Sequence, residues 1–345
     1  MDMIRASIEA VRGAWTSYAE VPAFVCDFVA SAAAAGGSDD ECHFGVLERS
    51  LLQNRDWSDR LGGTADRDFP LIRHYTSNVG YETLFRELNR RYRTQALGES
   101  YEDFLPLTWI VELLNMELFA AARSAPHSLG GGSVYRGMLL PRRLLSHYSH
   151  YRSDELPLEQ RAISIPLGLH SSSADRAIAH DFVGLDATRS QAEDRFALIW
   201  CISVVSLSDE RLEQYHRFFP SSVVTSICAN DISRLSELQL EREVLLRGAF
   251  FDVLDFREIA PIGGLDAYEL HVLMMDNNRD HISTYELGDR DAEARKLFRQ
   301  LVAAEKYWAC ADAAAAAGHK RLADRYREAA GTADEAGERT ARELG

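Results

Sequence analysis

The chain has 345 residues, enough for one large domain or two ordinary ones with a substantial core. With 46% hydrophobic and 26% charged residues it reads as a soluble globular protein. Its net charge of −15 repels phosphate backbones and argues against nucleic acid as a partner.

Residues 1–68 read as a helical N-terminal segment. IEAVRGAWTSYAEVPAFVCDFVASAAAA carries apolar residues at three-to-four spacing, AAAAGGSDDE breaks it, and CHFGVLERSLLQNRDWSDRL resumes the helical period. The first twenty residues have scattered charges and no apolar signal core, so the expectation is a cytosolic protein or one exported without a cleavable signal. No stretch reads as long enough and apolar enough to span a bilayer, so no membrane partner is expected.

From residue 69 the order changes. Thr76, Ser77 and Asn78 offer cap chemistry before a helical run from Tyr81 to Tyr92, and SYEDFLPLTWIVELLNMELFAAARSAP reads as a long buried helix stopped by Pro126. Residues 130–276 are rich in strands. GGGSVYRGML, AISIPLGLHSSS, RFALIWCISVV, SVVTSIC and YELHVLMMD each read as strand, and REVLLRGAFFDVLDFREI reads as two strands turned at Arg247 and Gly248. Ser173 stands where it can cap the helix in ADRAIAHDFVG. Residues 277–345 read as an alanine-rich helical extension with a turn at Gly318 and His319. The five cysteines (Cys26, Cys42, Cys201, Cys228 and Cys310) are far apart, no pair has metal-site spacing, and buried free thiols are the expectation.

Three short motifs carry possible chemistry. In SVYRG, Arg136 is a planar cation suited to phosphate or carboxylate, and Gly137 lets a ligand approach the backbone. Taken alone, a strand arginine is more often an ion-pair partner. In HSSS, Ser171 to Ser173 stand where a strand gives way to a helix, which is also an ordinary polar turn with a cap. In LEREVLL, a strand would put Glu241 and Glu243 on one face, roughly 7 Å apart. That pair is either a solvated strand end or two carboxylates sharing a cleft, one stabilising a sugar cation and one managing a proton.

Arg136, then Ser171 after 35 residues, then Glu243 after 72 more, with AIAHDF and FFDV behind the second and third motifs, closely resembles the arginine-specific mono-ADP-ribosyltransferases of the R-S-E class, the cholera-toxin-like and ecto-enzyme-like group. HYTSNVGYETLFRELNRRYR resembles that family's helix ahead of the core. The resemblance covers about residues 70–276. It implies an α+β fold whose core is two packed, mainly antiparallel sheets, here with helical N- and C-terminal extensions, so that residues 1–68, 69–276 and 277–345 form N-terminal segment, catalytic domain and C-terminal extension.

The same resemblance implies the site. Arg136 holds the phosphates of NAD, the Gly137 backbone meets the nicotinamide carboxamide, and Ser171 orients the catalytic glutamate and touches the nicotinamide-side ribose. Ser173 and Phe182 join the NAD site, Phe182 near nicotinamide. Glu243 bonds the ribose 2′-hydroxyl and stabilises the oxocarbenium ion, and Glu241 engages the target guanidinium and helps remove its proton. NAD is the co-substrate, a protein with an exposed arginine is the acceptor, and no metal is implied. Three features depart from the family: Ser172 replaces its usual threonine, no aromatic residue precedes the pair, where Leu238 and Leu240 stand instead, and His170 stands where the family often has a small polar residue. The second departure leaves open an NAD glycohydrolase with water as acceptor. A non-catalytic helical interaction protein with a decayed core is the remaining alternative, opposed by the intact Arg136, Ser171, Glu241 and Glu243.

Overall fold

The computed structural model describes residues 2–54, 67–94, 100–124, 132–164, 169–189, 194–237, 239–247, 250–279 and 286–345. It divides into two compact units. The first comprises Met1–His127, Pro166–His170 and Asn230–Glu243, and the second Ser128–Ile165, Ser171–Ala229 and Val244–Gly345. The three segments read along the chain cut it differently. Helices 70–124 group with the N-terminal helices, and the C-terminal helices group with the sheet. Pro126, read as a helix stop, lies outside the described residues.

The first unit is helical. It contains α1 (Asp2–Gly13), α2 (Ala23–Gly36), α3 (Asp40–Asn54), α4 (Pro70–Thr76), α5 (Asn78–Gly80), a π-helical turn (Tyr81–Phe85), α6 (Arg86–Thr94) and α7 (Tyr101–Ser124). Ser77 caps α5 by accepting a hydrogen bond from the Gly80 amide at 3.0 Å. Helix α7 is buried almost all round from Phe104 onward, and Phe104, Leu107, Trp109, Ile110, Leu113, Leu114 and Leu118 are in the core. By length and composition its residues Tyr101–Ala122 could cross a bilayer, which corrects the reading that no stretch could; 89% of the apolar window is buried inside the protein. Its polar side chains fasten the neighbouring helices. Arg12 of α1 donates to Glu112 at 2.8 Å, Ser7 meets Thr108 at 2.9 Å, and Trp15 stacks on Trp109 with ring centroids 5.5 Å apart.

Helix α4 is held at both ends. The Glu117 carboxylate accepts from the amides of Leu71 and Ile72, at 3.0 and 2.8 Å, and from Ser50 Oγ at 2.5 Å. These amides are the unsatisfied donors of a helix start. Even so, burial pushes the Glu117 carboxyl up to about 7 against those bonds. Further along α4, His74 Nε2 meets His43 Nδ1 at 2.7 Å, and His43 Nε2 meets Ser38 Oγ and Thr83 Oγ1. Burial, then the charges of His43 and Arg49, push His74 down to about 4.

The second unit is built on an eight-stranded sheet of order β2-β8-β9-β4-β1-β3-β7-β6. The strands are β1 (Ser133–Pro141), β2 (Ala162–Ser164), β3 (His170–Ser173), β4 (Arg195–Val205), β6 (Ala229–Asp231), β7 (Glu243–Leu246), β8 (Phe250–Ile262) and β9 (Leu265–Met275). β5 (Val224–Ser226) and β10 (Asn277–Arg279) form a separate two-stranded pair. One continuous sheet and a short ribbon therefore stand where two packed sheets were expected. The pairing is mixed: β1 runs antiparallel to β4 over its whole length, whereas β4 and β9 are parallel. β7 and β8 form as separate strands but not as a hairpin, because four strands lie between them in the sheet.

Alternation sends Val134, Phe196, Leu198, Trp200, Ile202, Val253, Leu270 and Val272 into one core. The unit's helices are α8 (Leu145–Ser149), α9 (Arg176–Arg189), α10 (Asp209–Phe218), α11 (Asp291–Ala316) and α12 (Lys320–Leu344). α9 covers Ala197, Ile199 and Ala267 with Val183. The alanine-rich stretch forms the hairpin α11–α12, turned at Gly318 with φ +87°. Its Cys310, Ala311, Ala314, Leu322, Ala323 and Tyr326 bury Leu254 and Leu273 of the sheet. Lys306 pairs with Asp252 at 3.0 Å, and Arg325 donates to the carbonyls of Asp154 and Leu156. The cysteines are free as expected, although Cys42 is exposed and only Cys310 is fully buried.

Candidate active site

In the second unit the first two motifs lie on neighbouring strands. Arg136 is half-buried on β1, and its guanidinium donates to the carbonyl of Ser171 on β3. Ser172 Oγ donates to the carbonyl of Val244 at 2.7 Å, which fastens β3 to β7. Serine in place of the family's usual threonine keeps the hydroxyl, and that hydroxyl is the pin between the serine motif and the strand after Glu243. Ser173 Oγ accepts from the Asp175 amide at 2.9 Å, and Asp175 Oδ1 accepts from the Ala177 amide at 2.9 Å. The residue that caps α9 is therefore Asp175, and Ser173 forms the turn ahead of it.

Gly137 has a packing reason to be glycine. A Cβ built there would stand 2.1 Å from the carbonyl oxygen of Ala179 and 2.6 Å from a Val183 methyl. That face of β1 is taken by α9. Phe182, on the same helix, is 50% exposed.

In the first unit, Glu241 and Glu243 are not successive same-face positions of one strand. Glu243 opens β7, but Glu241 ends a 3₁₀ turn, Gln239–Glu241. Between them Arg242 adopts φ +48°, a left-handed conformation that costs a non-glycine residue energy, and its amide donates to the Gln239 carbonyl at 3.2 Å. The alternation rule fails because the chain turns one residue before the strand starts. Glu243 is only 8% exposed. Its carboxylate lies 3.4 Å from Ser236 Oγ, and its carbonyl accepts from the Ile232 amide at 3.0 Å. Glu241 is half-buried, and that burial raises its carboxyl pKa. Leu240 is 93% exposed, and Leu238 lies outside the described residues. Sequence reasoning missed Ser236, whose single signal is a small hydroxyl residue in the approach to the glutamates.

One further cluster lies on the sheet beneath α9. Donor atoms of Cys201, Glu269 and His271 come within 4.8 Å of one another. Glu269 accepts from His271 Nε2 at 3.0 Å and is paired with Arg176, while Arg257 stands 3.9 Å away. These partners, His271 first, hold its carboxyl below the usual range against burial. Burial and Glu269 push the Cys201 thiol up to about 12. A dication would sit against two guanidinium groups, so the cluster is assigned as an ion-pair network.

No protein-family model matches the chain, and no curated protein matches it. Among solved structures, the Vis toxin, an ADP-ribosyltransferase from Vibrio splendidus, aligns at 12% identity over 69% of this chain and 87% of its own, with a TM-score of 0.37. The type III effector XopAI from Xanthomonas axonopodis pv. citri aligns at 13% identity over 79% and 97%, TM-score 0.38. The ADP-ribosyltransferase HopU1 of Pseudomonas syringae aligns at 15% identity over 59% and 76%, TM-score 0.35. Likeness at this level leaves the functional reading to the residues themselves.

Proposed function

We propose that the chain transfers a single ADP-ribose from NAD to an arginine side chain of a protein and releases nicotinamide. The observation that carries this reading is the order of β1, β3 and β7 as consecutive strands of the sheet. Those strands carry the arginine, the serines and the glutamate of the motif set, and they are cross-linked at Ser171 by Arg136 and at Val244 by Ser172.

In this reading Arg136 binds the NAD phosphates, and Ser171 and Ser173 border the ribose. Phe182 borders nicotinamide, and the Gly137 backbone meets its carboxamide. The bond that breaks joins ribose C1′ to the nicotinamide nitrogen, and the leaving nicotinamide keeps the electron pair. Positive charge develops on the ribose, and a carboxylate aimed at it stabilises the transition state more than the ground state. Glu243 has that role. An arginine nitrogen then bonds C1′. Because a guanidinium has a pKa above about 12, it must lose a proton as it attacks. Glu241 supplies the acceptor, and its raised pKa suits a base better than an ordinary surface carboxylate would.

The exposed Leu240, where an aromatic grip on a protein acceptor would be expected, favours a second reading in which water is the acceptor and the chain is an NAD glycohydrolase. Incubation with NAD labelled in the adenosine moiety and a mixture of cellular proteins separates the two. Label bound to protein arginines supports transfer, label found wholly in free ADP-ribose supports hydrolysis, and unconsumed NAD contradicts both.

A further inference from the structure

Helix α4 and the segment carrying the two glutamates meet at one side chain. Thr76 is the last residue of α4 and only 5% exposed. Its Oγ1 donates to the Arg73 carbonyl at 2.9 Å and accepts from the Glu237 amide at 3.2 Å. A β-branched residue is stiff at χ1, and donation to Arg73 fixes the remaining hydroxyl rotation, so the acceptor lone pair is aimed at Glu237.

The segment so caught is closed on itself. The Ile232 amide bonds the Glu243 carbonyl, the Leu235 and Ser236 amides both bond the Ile232 carbonyl at 2.8 Å, and Ser233 donates to Asp231. Ser236, next to the caught Glu237, is buried and touches the Glu243 carboxylate at 3.4 Å. A continuous path thus runs from Thr76 through Glu237 and Ser236 to Glu243. At its other end α4 is held by the bonds of Glu117, and two residues before Thr76 by the His43–His74 contact.

We infer that Thr76 is a positioning residue for Glu243: it fixes the place of Ser236 and so the aim of the carboxylate. The inference rests on the reading of Glu243 as the group that stabilises the sugar cation. Misplacing a catalytic group slows the step it serves without weakening substrate binding in proportion. Thr76→Val keeps the shape, loses the acceptor and strands the Glu237 amide. Thr76→Ser keeps the acceptor.

The test combines steady-state nicotinamide release with amide hydrogen exchange on the full chain. Thr76→Val is expected to lower kcat about tenfold with KM for NAD within about twofold of wild type. Thr76→Ser should recover most of the loss. Exchange in Thr76→Val should quicken across residues 233–243 while α7 stays protected. Unchanged exchange in that segment overturns the inference whatever the activity, and so does a Thr76→Val enzyme with wild-type kcat. If wild type releases no nicotinamide, the transferase reading fails, and the exchange result still decides whether Thr76 fixes the segment.

Discussion

The carbonyl oxygen of Ala179 occupies the space that a side chain at Gly137 would need, 2.1 Å from the position of its Cβ. The obstruction is helix backbone and cannot swing aside. Gly137→Ala must therefore lift α9 from β1 or distort the strand. We expect a loss of at least about 2 kcal/mol in folding stability, the range for overpacking a tight core. Urea unfolding of the variant measures it. A midpoint equal to wild type would show that α9 yields freely.

Glu243 and Glu241 divide the labour in the proposed reaction. Glu243→Gln should abolish both protein labelling and NAD hydrolysis, a loss of at least about a hundredfold. Glu241→Gln should lose transfer to arginine and retain some hydrolysis, because the sugar cation is still stabilised. Equal residual transfer in the two variants would refute the division.

Two buried groups of the first unit pull its stability in opposite directions with pH. Glu117 is raised by burial from 4.5 to about 7. Its folded form holds a proton that the unfolded chain has released, so its contribution is full below pH 4.5 and is lost as pH rises through 7. His74 is lowered by burial, with His43 and Arg49, from 6.5 to about 4. Its contribution is full above pH 6.5 and is lost as pH falls through 4. The two slopes oppose each other between pH 4.5 and 6.5. Wild type measured against Glu117→Gln should lose relative stability as pH rises across that window, by up to about 3 kcal/mol. Measured against His74→Gln it should lose relative stability as pH falls. Urea unfolding at pH 4.5, 5.5 and 6.5 gives both differences, and parallel profiles would contradict the assignment.

The helical hairpin α11–α12 completes the core of the second unit. Removing everything after Asp276 would uncover Leu254 and Leu273 and leave Asp252 without Lys306. The truncated chain is expected to be insoluble or to unfold without a cooperative transition. A soluble, fully active remainder would show that the hairpin is dispensable.

The legible parts of the sequence were those with long periodicity. α7, β4, β9 and the C-terminal hairpin fall where their patterns put them, because each buries a whole face or is buried all round. The pairing of strands was not legible. Short apolar runs around Arg247 give no sign that β7 and β8 lie with four strands between them, since partner choice is decided by contacts distant in sequence. Glu241 was misplaced for a local reason: alternation holds only inside a strand, and the left-handed Arg242 ends it. Ser236 carries no motif, and Thr76 stands out only as a cap candidate within HYTSNVGY; the bond of Thr76 to Glu237 and the contact of Ser236 with Glu243 appear only once the chain is folded.

The turn at Arg242 has a consequence for how such a site can change. Glu243 is anchored by a strand, whereas Glu241 rides on a single turn with an exposed leucine beside it. Replacements within residues 239–242 can re-aim Glu241 and leave Glu243 where it is. In the proposed reaction the choice of acceptor can then drift while the cleavage of NAD is conserved, so that descendants of one ancestor come to modify different targets through a four-residue stretch.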